Sequence, residues 1–356
     1  MSLFKKSTLT DVAQRAGVSV TTASYILNGR STQMRISAET ERRVQAAIRD
    51  LNYRPNWSAR NLRRSSTKTI GVISDFVASG AFSSQLLTGA SVAARLSGHL
   101  LVIGESMGDR DAEELLIEDM VGRQVDGVIY ATRSTASVRV PDKLRDVRAV
   151  LLNCLDDDLA LPTVLPDDVR GGRTAVEHLV AAGVMDPIYV VGEDPTTEAT
   201  AGLDRVRGIN AALVEAGREL AGCVSCPWDV APAYDAMEAQ LRTGVRPGAL
   251  ICLNDRVAMG VYQALAEYRL SVPDDVSVIA FDGSDLASWL RPRLTSLALP
   301  FRDMGALAVE MLMNPGSNAG PLAGMNAGTV TRLPLELQAG SSVRGAVPAR
   351  SEARRA

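Results

Sequence analysis

The stretch Thr8-Leu-Thr-Asp-Val-Ala-Gln-Arg-Ala-Gly-Val-Ser-Val-Thr-Thr-Ala-Ser-Tyr-Ile-Leu-Asn-Gly29 decides how the first part of the chain is read. Thr8 and Asp11 stand at capping-box spacing, with Asp in place of the usual Glu, so a helix starts at Leu9. Leu9, Val12, Ala13 and Ala16 recur at helical spacing and form one apolar face. Gly17 breaks that helix. Ser19 caps a second, whose inward residues are Val20, Ala23, Ile26 and Leu27, and Asn28-Gly29 ends it. Two short helices joined by a tight glycine turn make a helix-turn-helix. The N-terminal residues of its second helix enter the major groove of DNA. Here they are Val20, Thr21, Thr22, Ser24 and Tyr25, with hydroxyls for base edges or phosphates and methyls for thymine.

Further along, Ser37 caps a third helix reaching Leu51, with Val44, Ala47, Ile48 and Leu51 as its stripe. Pro55-Asn56 then opens an arginine-rich segment, Trp57 to Arg64. Charge supports a polyanion partner for this head alone. Residues 1–68 hold 13 basic and four acidic side chains, a net +9, whereas the remainder holds 25 and 37, a net −12.

From Thr69 the pattern changes. Apolar runs at Ile70–Ser74, Leu100–Gly104, Val125–Tyr130, Ala149–Asn153, Pro187–Gly192, Ala249–Leu253 and Val276–Phe281 alternate with helical patterns. The helices fit Phe82–Leu96, Arg110–Gly122, Gly171–Ala182, Asp204–Ala216, Ala231–Arg242 and Asp255–Tyr268. This alternation predicts parallel sheets covered on both faces. The strands are too numerous for one compact sheet, so two α/β lobes are expected, with a ligand cleft between them. The tail from Gly340 is rich in Ala, Arg and Ser without an apolar period and reads as disordered. Hydrophobic residues make up 46% and charged residues 22%, the balance of a soluble globular protein. No apolar run approaches the ~20 residues of a membrane span. Met1 to Lys6 lacks a signal core, so a cytoplasmic location is expected.

The head closely resembles the LacI/GalR family of bacterial repressors. The likeness extends over Asn52-Tyr-Arg-Pro-Asn-Trp-Ser-Ala-Arg-Asn-Leu-Arg63 and Thr69-Ile-Gly-Val-Ile73. It continues more weakly to about Leu337 through Val125-Asp-Gly-Val-Ile129, Arg207-Gly208, Asn254-Asp255 and Phe281-Asp282. It implies a small all-α helix-turn-helix head on an α/β body of two doubly wound parallel-sheet lobes resembling periplasmic binding proteins. The expected divisions are a head at 1–54, a hinge at 55–68 and an effector-binding and dimerisation body at 69–339. One lobe takes 69–165 and 298–330, the other 166–297 and 331–339, and 340–356 is the tail.

The resemblance also implies a homodimeric repressor on a pseudo-palindromic double-stranded operator, controlled by a small-molecule effector, a sugar or related metabolite, with no cofactor and no metal. The DNA-contacting set becomes Thr8, Leu9, Ser19, Val20, Thr21, Thr22, Ser24, Tyr25 and Asn28, with Asn56, Ala59, Leu62 and Arg63 in the hinge. Leu62 would wedge into the minor groove. Matching effector positions are Phe82, Arg207, Trp228, Asn254 and Asp282. The chain departs from the family at four places. Tyr25 stands where arginine is frequent, Leu299 where glutamine is frequent, and Arg170 where one member uses an acid. The loop from Asn28 to Ile36 is a few residues longer than usual, and its Arg30 and Arg35 either contact phosphates or ride a mobile loop.

A rival reading comes from Gly104-Glu-Ser-Met-Gly108, which fits the nucleophile elbow of a serine esterase. It is disfavoured because the next helix starts near Arg110 rather than at Ser106, and because the chain offers only His99 and His178 as bases. Cys223-Val-Ser-Cys226 is a lone pair with no second pair for zinc, so reduced thiols are expected. The acid runs Asp156–Asp158 and Asp167-Asp168 read as solvated loops.

Overall fold

The computed structural model describes residues 7–54, 66–78, 84–158, 161–184, 187–194, 199–314 and 328–345. The chain divides into two compact units, residues 1–67 and 68–356.

The first unit is a three-helix head: α1 (Leu9–Ala16), α2 (Val20–Leu27) and α3 (Ala38–Asp50). Each begins at a hydroxyl cap. Thr8 accepts from the Asp11 amide at 3.2 Å, and Asp11 accepts from the Thr8 amide at 2.7 Å, which closes the capping box. Ser19 accepts from the Thr22 amide at 3.0 Å and Ser37 from the Thr40 amide at 3.2 Å. Gly17 turns the chain between α1 and α2 with φ 63°, a conformation natural to glycine. Val12, Ala13, Ala16, Ala23, Ile26, Val44 and Ala47 form the core, with Leu9, Ile48, Leu51 and Tyr53 packed around it. So small a core leaves little stability in reserve, and the caps matter accordingly.

The second unit holds two six-stranded sheets. The first lobe runs β1 (Thr69–Ser74), α4 (Ser84–Leu96), β2 (Leu100–Glu105), α5 (Arg110–Gly122), β3 (Gly127–Val138), β4 (Ala149–Asp156) and β5 (Thr163–Pro166). The chain then builds the second lobe: α6 (Asp168–Ala181), β6 (Ile188–Glu193), α7 (Ala201–Glu215), β7 (Gly222–Ser225), α8 (Val230–Arg242), β8 (Ala249–Cys252), α9 (Asp255–Glu267), β9 (Ser277–Asp282), α10 (Asp285–Trp289) and β10 (Thr295–Ala298). It returns to the first lobe with α11 (Phe301–Met313) and β11 (Val330–Leu333), and finishes in the second with β12 (Glu336–Gln338). The sheet orders are β11-β5-β4-β3-β1-β2 and β12-β10-β9-β8-β6-β7. All neighbours are parallel except the antiparallel pair of β10 and β12. Helices cover both faces, so central strands are buried along nearly their whole length rather than on alternate residues, as in β1, β4 and β8. Among the described residues no helix is long and apolar enough to cross a membrane.

Two expectations need correction. Val330–Leu333 pairs with β5, so the last crossing between lobes falls at Pro334-Leu335 and not at residue 330. Gly340–Val343 is packed against the second sheet. Buried Ser342 donates to the Val278 carbonyl at 2.6 Å and accepts from the Thr295 amide at 2.8 Å, while Val343 joins the core around Leu179 and Ile279. Specific side chain–backbone bonds hold this segment, and composition does not register them.

Candidate functional sites: the recognition helix and a buried carboxylate–guanidinium cluster

In the head, the N-terminal turn of α2 faces outward. Ser19, Val20 and Thr21 are exposed, and Thr22, Ser24 and Tyr25 are half-buried. The Ser19 and Thr22 hydroxyls lie 2.8 Å apart, so Val20 and Thr21 are the freest of the set. Thr8 serves as the α1 cap and Leu9 packs on the core. The Asn28 amide donates to the Ser24 carbonyl at 2.7 Å and closes α2. From Val12 to Ala38 there is no acidic residue, and the charged side chains of this stretch are all arginines. Asn56, Ala59, Leu62, Arg63 and Phe82 lie outside the described residues.

In the second lobe, helices α6 and α7 cross in near backbone contact. A Cβ on Gly172 would lie 2.1 Å from the Arg205 carbonyl oxygen, and one on Gly208 would lie 1.9 Å from that of Val169. Only glycine permits this approach. It brings Asp168, in the first turn of α6, against Arg205, in the second turn of α7. Arg205 is 2% exposed. Its Nε donates to Asp168 Oδ1 at 2.8 Å and its Nη1 donates to the Leu253 carbonyl. The guanidinium carbon lies 4.6 Å from the Phe281 ring centre and 5.1 Å from that of Trp228. Trp228 is itself fixed by a 2.5 Å bond from its indole nitrogen to the Gly192 carbonyl.

Two more carboxylates face the same guanidinium. Asp255 is fully buried; its Oδ1 accepts from Ser296 at 2.6 Å, and its Oδ2 from the Ser284 amide and hydroxyl at 2.8 and 2.7 Å. Asp282, at the end of β9, holds a left-handed backbone of φ 106°. Burial raises all three carboxyl pKa values. Arg205 opposes the rise at Asp168, and the serine bonds oppose it at Asp255. At Asp282 the charges of Asp255 and Asp168 add to it. The second oxygen of Asp168 is buried without a hydrogen-bond partner. Asn254 caps α9 by accepting from the Val257 amide at 2.7 Å. These groups gather where β6, β8 and β9 end, the carboxyl edge at which open α/β sheets bind ligands.

The structure therefore brings Trp228, Asn254 and Asp282 together but not Arg207. That side chain is 67% exposed and pairs with Asp204 at 3.0 Å. The reason is helical phase: two residues along a helix is about 200°, so of Arg205 and Arg207 only one faces inward. Asp168, Arg205, Asp255 and Phe281 are the members that sequence reasoning missed. The signal was present, because Arg205 shares the buried stripe of Ala201, Gly208, Ile209 and Ala212.

The other motifs have plainer settings. Ser106 is buried in the wall of a first-lobe cavity of about 570 Å³, also lined by Asp75, Arg110, Glu113 and Tyr130. Its hydroxyl donates to the Ser74 carbonyl at 3.3 Å. His99 has both ring nitrogens engaged, with Ser97 at 2.9 Å and Asp126 at 3.2 Å, and His178 lies on α6 in the other lobe. The four cysteines carry free thiols. The acid runs are not simply solvated: Arg145 pairs with Asp158 at 2.8 Å and Asp156 at 3.6 Å, and Asp167 caps α6.

Known proteins match both the head and the body. Residues 8–56 match the family model of bacterial regulatory proteins of the lacI family, and residues 176–343 match a periplasmic binding protein-like domain. The chain is 31% identical over 310 residues to catabolite control protein A of Priestia megaterium, covering 86% of this chain and 91% of that one. It is 30% identical over 312 residues to the ribose operon repressor of Escherichia coli K12, covering 86% and 92%. A lac repressor dimer crystallised with operator and the anti-inducer ONPF superposes with a TM-score of 0.80 at 25% identity, covering 96% of this chain and all of the other. With the helix-turn-helix head, the two-lobed body and full-length relatives in agreement, the chain belongs to the LacI family of bacterial transcriptional regulators.

Proposed function

We propose that the protein is a cytoplasmic, homodimeric repressor that reads a pseudo-palindromic operator and is controlled by a polyhydroxylated small molecule of the carbohydrate class. The observation that carries the DNA reading is the exposed, acid-free N-terminal turn of α2 on a head of net +9. Val20, Thr21 and Tyr25 read bases there, and Ser19, Thr22, Ser24 and Asn28 hold the helix that presents them. Asn56, Ala59, Leu62 and Arg63 complete the contact set from the hinge. The homodimer is supported by an apolar strip on the first lobe: Leu96, Leu100, Ile103 and Leu115 are exposed on edge strand β2 and its flanking helices.

The effector reading rests on the cluster. Half-buried Asp282 offers an acceptor for hydroxyls and half-buried Trp228 a flat apolar face, while the buried Asp168, Arg205, Asp255 and Phe281 hold them in place from behind. Phe82 and Asn254 join them in this reading. No catalytic role falls to Ser106, whose hydroxyl is bonded to backbone and to neither histidine.

Selection of bound sequences from a random duplex pool by the full-length protein tests the operator reading. A motif with two inverted half-sites supports it; recovery of unselected DNA refutes it.

A further inference from the structure

The connection between α2 and α3 is an ordered turn. Gly29 enters it with φ 66° and Arg35 leaves it with φ 51°. Between them the Arg30 amide donates to the Tyr25 carbonyl at 2.9 Å, the Met34 amide to the Arg30 carbonyl at 3.0 Å, and the Ile36 amide to the Ser31 carbonyl at 2.9 Å. Ser31 is buried, and it is its backbone carbonyl that takes part in the turn. Arg30, Thr32, Gln33, Met34 and Arg35 all point to solvent.

The two left-handed positions are filled differently. Gly29 fits its conformation without strain. Arg35 does not, because a Cβ disfavours it, and glycine or asparagine would fit better. A strained backbone under a long charged side chain points to a use for that side chain. The charge setting agrees. Arg15 on α1 has Asp50 at 3.3 Å, but among the described residues neither Arg30 nor Arg35 has an ion-pair partner. The distance agrees as well. α2 has eight residues, about 12 Å at 1.5 Å each. With its first turn on base edges, its far end reaches the wall of a groove about 12 Å wide, and that wall is phosphate.

We propose that the turn from Arg30 to Arg35 is a second DNA-contacting surface, a phosphate clamp whose two arginines grip the backbone flanking each half-site. This rests on the reading of the head as DNA-binding. Phosphate contacts carry no sequence information, so the clamp adds affinity and salt dependence without altering base preference.

The test uses the full chain with two fluorescent duplexes, one of random sequence and one recovered by selection. Affinity is measured across a salt series for wild type, Arg30→Ala, Arg35→Gly and the double variant. Arg123→Ala, on the body, removes the same charge elsewhere. The plot of log affinity against log salt should become shallower by about 0.9 for each phosphate that a subunit no longer neutralises, equally on both duplexes. Arg35→Gly should weaken DNA binding while leaving the head's melting temperature unchanged or higher. Arg123→Ala should behave as wild type. An unchanged slope in the double variant overturns the clamp. So does a loss confined to the selected duplex, which means base reading, or a loss matched by a lower melting temperature, which means a structural turn. Wild type failing to bind either duplex overturns the clamp and the DNA reading together.

Discussion

Arg205 Nε lies 2.8 Å from Asp168 Oδ1, and both side chains are almost completely withdrawn from water. A buried pair is strongly destabilised when one partner alone is removed, because the other charge is left uncompensated. Arg205→Ala should therefore lower the body's stability by about 3–5 kcal/mol. Arg205→Ala combined with Asp168→Asn should recover part of that loss. Urea unfolding of the single and double variants checks this, and additive losses would mean that the pair is not coupled.

Arg207 provides the contrast on the same helix. Arg207→Ala should leave both stability and effector response within about 0.5 kcal/mol of wild type, since an exposed ion pair contributes little. Arg205→Lys should abolish the effector response, because a compact ammonium cannot reproduce the flat, stacked fork. Operator release titrated with a sugar panel separates the two variants.

The crossing at Gly172 and Gly208 should tolerate no side chain. Gly208→Ala pushes a Cβ onto the Val169 carbonyl and should destabilise by about 1–3 kcal/mol or more, with weakened effector binding as Asp168 and Arg205 move apart. Gly122→Ala is the control. A Cβ there meets open space at the last residue of a helix, so the change should be neutral or slightly stabilising. Chemical denaturation of both proteins is the measurement.

The raised carboxyls predict a pH dependence. Each of Asp168, Asp255 and Asp282 has a folded pKa above its unfolded value near ~4. Their contribution to stability is fully present below the unfolded value and is lost as pH rises through the folded values. Around neutral pH the body should gain stability on mild acidification, before other groups bring on acid unfolding. Asp282→Asn should flatten that part of the curve. Melting temperatures across pH, read for wild type and variant, decide the matter.

In the head, Thr8→Ala removes the side-chain half of the capping box and should lower its melting stability by about 1 kcal/mol. Ser37→Ala should act similarly on α3. Circular dichroism of the head's transition measures both.

What the amino-acid order alone reveals divides along physical lines. The caps at Thr8, Ser19 and Ser37 were legible because a cap is a local bond between residues three apart. Strands β1, β4, β6, β8 and β9 were legible because burial on both faces leaves a continuous apolar run. β5, β7, β10, β11 and β12 were not, because each is three or four residues long and broken by Thr, Pro, Gly, Ser, Arg, Glu or Gln, whereas the equally short β8 is apolar at every position. Arg207 was chosen over Arg205 because a motif position was followed, where helical phase decides which of the two side chains is buried. Asp168 could not be paired with Arg205 from sequence, since the contact spans 37 positions and depends on two glycines facing each other.

The first lobe is completed only by α11 and β11, which follow the whole stretch from Asp168 to Ala298. A ribosome adding ~5–20 residues per second takes on the order of ten seconds to traverse that stretch. Throughout that interval Ile70, Leu86 and Ile129 lack the α11 side chains that cover them in the finished protein. Newly made chains thus pass through a period of exposed apolar surface set by topology, and chaperone holdases that recognise such surface are natural companions of synthesis. A chain terminated at Pro300 would carry two unfinished cores, and it should aggregate rather than yield one working lobe.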